Sequence, residues 1–215
     1  MNLFSKSAVA LFALFIAGQA SAASVSYYLD QSNDLPDGDN YAQVTISDGV
    51  DGNIDFRVEV LSNAFPMPLG ENFGMQTFSF NYDPALDVPD GNISKDSIVN
   101  VDPSSWSIKE DKNAGGGFGK FDFQTMGDGS SRTLVLTFSI AGVDGDTVNS
   151  YALGNADGTG EFFAAHIADY DDWATDNTSG QFAGSTPVPV PAAVWLFGSA
   201  LGMLGWVRRR KTAVT

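Results

Sequence analysis

The side chains able to do chemistry in this chain are almost all carboxylates. There are 26 Asp and Glu residues against one histidine, His166, and no cysteine. Without thiolates there is no cysteine nucleophile and no zinc or iron–sulfur site built on sulfur. With one histidine, a multi-histidine metal site cannot form. A Ser-His-Asp arrangement would have to recruit His166, but no G-x-S-x-G elbow accompanies it, and Gly127-Asp128-Gly129-Ser130-Ser131 reads as a turn. The run Ala114–Gly119 (AGGGFG) lacks the Lys-Ser/Thr of a phosphate loop and reads as a hairpin loop.

Two uses of the carboxylates stand beside the plain reading of a solvated acidic surface. Asp169, Asp171, Asp172 and Asp176 crowd around Trp173, and two acids beside a sugar-stacking ring are the parts of a glycoside hydrolase. Four acids so close in sequence also make an ordinary exposed face, so the expectation is a protein that is not an enzyme. Asp48, Asp51, Asp144 and Asp146 sit beside glycines in loops, which suits the oxygen ligation of calcium. Asp and Gly equally make turns, and no EF-hand spacing is present. No cofactor is expected beyond that calcium. Trp106 and Trp173 are the candidate glycan contacts, since indole faces stack on sugar rings.

These residues need a scaffold, and its pattern is period two. Ile54–Val60 (IDFRVEV) alternates cleanly, as do Thr77–Tyr82 and Thr133–Ile140. Val25–Leu29, Tyr41–Ser47, Trp106–Lys109, Phe118–Phe123 and Glu161–Ala168 are further strand candidates. Turn signals such as Pro36-Asp37-Gly38, Asp51-Gly52 and Asp144-Gly145 separate them. Many short strands between such turns predict an all-β, antiparallel two-sheet β-sandwich, jelly-roll-like, over residues 23–173. Residues 174–187, rich in Thr, Ser, Gly and Asn, read as a linker. The composition is globular, with 43% hydrophobic and 17% charged residues.

Both ends read as targeting segments. Residues 1–22 have the form of a signal peptide: Lys6, the apolar run Ala8–Ala17, and Ala20-Ser21-Ala22, with cleavage after Ala22. Between the ends lie six basic residues and all 26 acidic ones, a balance of −20. Such a surface repels phosphate backbones, so nucleic acid is not an expected partner. At the other end, Pro187-Val188-Pro189-Val190-Pro191 is expected to be an extended, accessible strip, because proline cannot donate to a helix or a ladder. Residues 192–207 are uncharged and mostly apolar, long enough for a short transmembrane helix of about 24 Å. Trp195 and Trp206 belong at its interfaces, and Arg208, Arg209, Arg210 and Lys211 hold the end on the cytoplasmic side.

The order of those three parts resembles the PEP-CTERM sorting signal, in its VPxPAA variant, of exosortase substrates. The matching residues are Val188-Pro189-Val190-Pro191-Ala192-Ala193, Trp195–Leu201, Gly205 and Arg208–Arg210, within a signal over 188–211. The familiar Pro-Glu-Pro core is replaced by Pro189-Val190-Pro191. The resemblance implies a Gram-negative envelope, export, and an inner-membrane-anchored precursor. It also implies processing by exosortase near the prolines, and a final place at the cell surface or outside it, in association with exopolysaccharide or biofilm. A second similarity, generic to β-sandwiches, joins Phe73–Pro84, Trp106 and Leu134–Asp146 to cohesin and carbohydrate-binding domains. The function expected is a non-catalytic cell-envelope or matrix protein, with a secreted glycan-active hydrolase as the alternative.

Overall fold

The computed structural model describes residues 23–86, 88, 92–93, 98–155, 160–172 and 177–188. Ala20 and Ala22 of the expected cleavage site, Trp173, Asp176, and everything from Pro189 onward lie outside them. The described chain is a two-sheet β-sandwich. One sheet runs in the order β11-β1-β3-β4-β8, with β1 at Ser24–Leu29, β3 at Ala42–Asp48, β4 at Ile54–Val60, β8 at Val135–Ile140 and β11 at Thr186–Pro187. The other runs β2-β10-β9-β5-β7-β6, with β2 at Gln31–Ser32, β5 at Leu69–Phe80, β6 at Trp106–Asn113, β7 at Lys120–Gly127, β9 at Phe163–Asp172 and β10 at Asn177–Gly184. All the strand pairs are antiparallel.

Alternation puts one face of each strand into a shared core. Ile54, Phe56, Val58 and Val60 of β4 point inward and meet Leu136, Phe138 and Ile140 of β8. From the opposite sheet come Phe78, Phe80, Phe163, Ile167 and Phe182. Phe56 stacks on Phe138 at 4.8 Å between ring centroids and approaches Phe80 at 4.9 Å. Phe78 stacks on Phe163 at 5.9 Å. Such aromatic pairs add about 0.5–1.5 kcal/mol each beyond the area they bury. This core explains how a domain without cysteines holds together.

Three sequence expectations change. First, β5 starts at Leu69 rather than Thr77. Bulges against β9, between Leu69 and Gly74 and again between Met75 and Thr77, break the alternation and hide the first half of the strand.

Second, the segment read as a linker is part of the sandwich. Asn177–Gly184 pairs with β9 on one side and β2 on the other. Phe182 is fully buried, 4.7 Å from the ring of Tyr41 and 5.2 Å from that of Phe65. The polar composition misleads because the strand is inward-facing only at Phe182 and at glycines. A Cβ at Gly180 would sit 2.6 Å from the Tyr170 hydroxyl. One at Gly184 would collide with the Tyr28 carbonyl, so glycine allows the chain to press against β1 as it changes sheets.

Third, the proline strip is not wholly free. Pro187 lies opposite Tyr27 of β1, and the Val188 N–H donates to the Ser26 carbonyl at 2.9 Å. The prolines lack donors, but the residue between them has one, and it points at β1. The ordered sandwich therefore extends to Val188, beyond the expected boundary at 173.

The loop between β6 and β7 also gains a role. Ala114 and Phe118 are buried with Phe121, Ala164 and Ala183 in a second apolar cluster. The loop packs onto the outer face of β9 and β10.

Candidate functional site

Trp106 does not contact a glycan. It is fully buried, opposite Gly127, and its indole N–H donates to the Ser131 carbonyl at 3.0 Å. It is a core residue of the β6–β7 pair.

The four candidate calcium ligands have other duties or stand apart. Asp48 Oδ2 accepts the Ala23 N–H at 2.8 Å. Asp146 Oδ2 accepts the Val143 N–H at 3.1 Å and the Tyr151 hydroxyl at 2.9 Å. Burial pushes the Tyr151 phenol well above its ordinary range, and the bond to Asp146 adds to that. Asp51 occupies a left-handed turn at φ 57°, and Asp144 is exposed. Among the described residues, no three His, Asp or Glu side chains gather around a common point.

His166 is half-buried on β9, in register with Thr77 of β5 and Gln181 of β10. Burial, and then the charge of Arg132, hold its pKa below 6.5. It is neutral at physiological pH. Asp169 sits at φ 70° in the β5–β9 bulge, where Oδ2 accepts the Asn72 N–H at 2.8 Å. It holds the bulge in place. Asp171 is half-exposed on β9, so these acids line the end of one strand.

A groove of about 410 Å³ forms elsewhere, where β5 and β7 part. Backbone pairing of these strands ends at Phe80 opposite Phe123. Beyond it, side chains continue the ladder. Asn81 Oδ1 accepts the Asp122 N–H at 3.1 Å, and Asp122 Oδ2 accepts the Tyr82 N–H at 3.1 Å. The Asn81 amide also donates to the Leu153 carbonyl at 3.2 Å, tying in the third wall. These bonds separate the two strands while holding both in position.

Lys120 and Asp111 stand exposed at the rim of the groove, and Asn155 and Tyr82 line it. The Tyr82 ring packs on Phe123 at 5.4 Å, so its position is set by the core. Asp111 lies on β6 at φ 48°, in the one position between Glu110 opposite Phe123 and Lys112 opposite Phe121 where the pairing with β7 is interrupted and then resumes in the same register. The groove combines carboxylates, an ammonium and carboxamides with an aromatic wall, and its volume lies in the range of small-ligand sites. Such a lining offers hydrogen-bond donors and acceptors of both charges beside an apolar ring face. A smaller depression of about 250 Å³ lies on the outer face of β3, β4 and β8 around Asp55 and Thr137.

Sequence reasoning missed the groove. One signal was available: Asp122 stands between Phe121 and Phe123, an acid inside an apolar strand. Together, the fold and this site define an acidic two-sheet β-sandwich with a polar groove at one sheet end. Compared with known protein families, with curated proteins and with solved structures, the chain matches none.

Proposed function

We propose that this chain is an exported, non-catalytic cell-envelope or matrix protein of a Gram-negative bacterium, processed by exosortase. The observation that carries this reading is the tail, with a proline strip, an apolar span and a basic stop in fixed order over 188–211. In this reading residues 1–22 are removed on export. A helix over about 192–207 then holds the precursor in the inner membrane, and processing releases the sandwich to the cell surface or beyond. The domain is suited to that fate. Its negative charge favours solubility and disfavours direct contact with anionic lipid.

Exopolysaccharide is the proposed partner of the released domain, and the groove bordered by Asn81, Lys120 and Asp122 is the surface that favours it. Carboxylates accept from sugar hydroxyls, carboxamides both accept and donate, the Lys120 ammonium donates, and the Tyr82 wall offers apolar contact to a ring face.

Antibody detection in cell fractions tests the sorting reading. A shorter, released form is expected in wild-type cells, and a full-length, membrane-bound form in a strain lacking the exosortase. The same full-length form in both strains would overturn it.

A further inference from the structure

The structure bears on where such processing can occur. The Pro-Val-Pro-Val-Pro strip begins inside the sandwich. Thr186 lies opposite Tyr28 and Pro187 opposite Tyr27, at the edge of a sheet. The Thr186 hydroxyl donates to Asp30 Oδ2 at 2.6 Å, and the Val188 N–H to the Ser26 carbonyl at 2.9 Å. In an antiparallel ladder neighbouring residues direct their backbone groups to opposite sides. With Val188 directed at β1, the position of the missing Pro187 N–H faces outward, where an edge strand has no partner. The proline therefore costs the sandwich nothing and denies the outer edge a donor for a further strand.

We propose that the bond cut in processing lies C-terminal to Val188, so that Pro187 and Val188 stay on the mature protein as its edge strand. This rests on the sorting reading above. Enzymes that cleave peptides take them in extended form and pair with their backbone groups. From Thr186 to Val188 the groups directed at β1 are already engaged, so a cleft that pairs with both sides of the peptide requires β11 to peel away first. Beyond Val188, residues 189–191 reach at most about 10 Å before the apolar span begins at Ala192. In the sorting reading that short interval adjoins the membrane-spanning segment, within reach of an enzyme embedded in the bilayer.

In the cut, the amide C–N bond breaks. The acyl carbon bonds to the oxygen of water or the nitrogen of an amine acceptor, and the nucleophile's proton leaves with the tail's new amine.

Two measurements test the proposal. The first is mass spectrometry of the C-terminal peptide from wild-type cells and from a strain lacking the exosortase. The expected wild-type terminus is Val188 or a later residue upstream of Arg208, with Thr215 retained in the other strain. A wild-type-only terminus upstream of Val188 overturns this proposal and leaves the sorting reading standing. Identical termini in both strains overturn both.

The second is hydrogen exchange on the full-length chain, solubilised from the exosortase-lacking strain. The strip from Pro187 to Pro191 has only two backbone N–H groups, those of Val188 and Val190. The Val188 amide is expected to exchange at least about tenfold more slowly than in the free peptide. Exchange at the free-peptide rate overturns the proposal.

Discussion

Asp48 holds both backbone groups of Ala23: its carboxylate accepts the Ala23 N–H at 2.8 Å, and its own N–H donates to the Ala23 carbonyl at 2.9 Å. The pair closes the open end of the β1–β3 ladder, where Ser24 lies opposite Ser47. Removal of residues 1–22 turns the Ala23 nitrogen into an ammonium facing this carboxylate, a charge-assisted bond in place of a neutral one.

Replacing Asp48 with Asn is therefore expected to lower the melting temperature of a chain beginning at Ala23, by about 1–3 °C for so exposed a pair. A chain carrying one extra residue before Ala23 should lose less. Differential scanning calorimetry on the four proteins of this cycle gives the coupling. Equal losses with and without the extension would show that the ammonium contributes nothing.

Trp106→Ala is expected to cost about 3–5 kcal/mol, the usual range for truncating a buried aromatic. The indole is fully buried and its N–H is bonded to Ser131, so the loss is one of packing and of one hydrogen bond. Urea denaturation reads it directly. Retardation of the folded variant in polysaccharide-containing gels should match wild type.

Phe182→Ala tests whether the segment from Asn177 is structural. Its ring meets Tyr41, Phe65 and Tyr170, and a loss of about 3–5 kcal/mol is expected in the same denaturation experiment. A loss under about 0.5 kcal/mol, the range of surface substitutions, would restore the linker reading.

The groove separates binding from folding. Lys120 is exposed, so Lys120→Ala should change stability by less than about 0.5 kcal/mol. It should weaken retardation in gels that contain the native exopolysaccharide. Asp122→Ala should weaken retardation and also lower stability, because it removes the acceptor of the Tyr82 N–H. Unchanged retardation in both variants would remove the groove from the proposed partner surface.

Stability should fall at both ends of the pH scale for identifiable reasons. His166 has a folded pKa below 6.5, so protons favour the unfolded chain. Its contribution is complete above pH 6.5 and declines as pH falls from there. Tyr41, whose hydroxyl donates to the Pro36 carbonyl, is pushed up to about 12, chiefly by burial and then by Asp39, Asp37 and Asp34. Its contribution is complete below about pH 10 and is lost as pH rises toward 12. Melting curves across pH should show both limbs, with His166→Gln flattening the acid one and Tyr41→Phe the alkaline one.

The sequence by itself determined the strand class and much of the core. Ile54–Val60 was legible to the residue, because every second side chain is apolar and one sheet face is buried. The sandwich, the acidic surface and the tail's three-part order were equally visible, since they are properties of local pattern.

Tertiary structure decided what pattern could not show. Trp106 looked available for stacking until Gly127 and Ser131 closed over it. Asn177–Gly184 looked like linker because a strand set between two others can meet the core through one ring and several glycines. Asn81 and Asp122 are far apart in sequence, and only the parting of β5 from β7 makes them two sides of one groove. Pro187 and Val188 read as an open strip because proline lacks a donor. Which way the intervening N–H points depends on a neighbouring strand that begins at Ser24, at the far end of the chain.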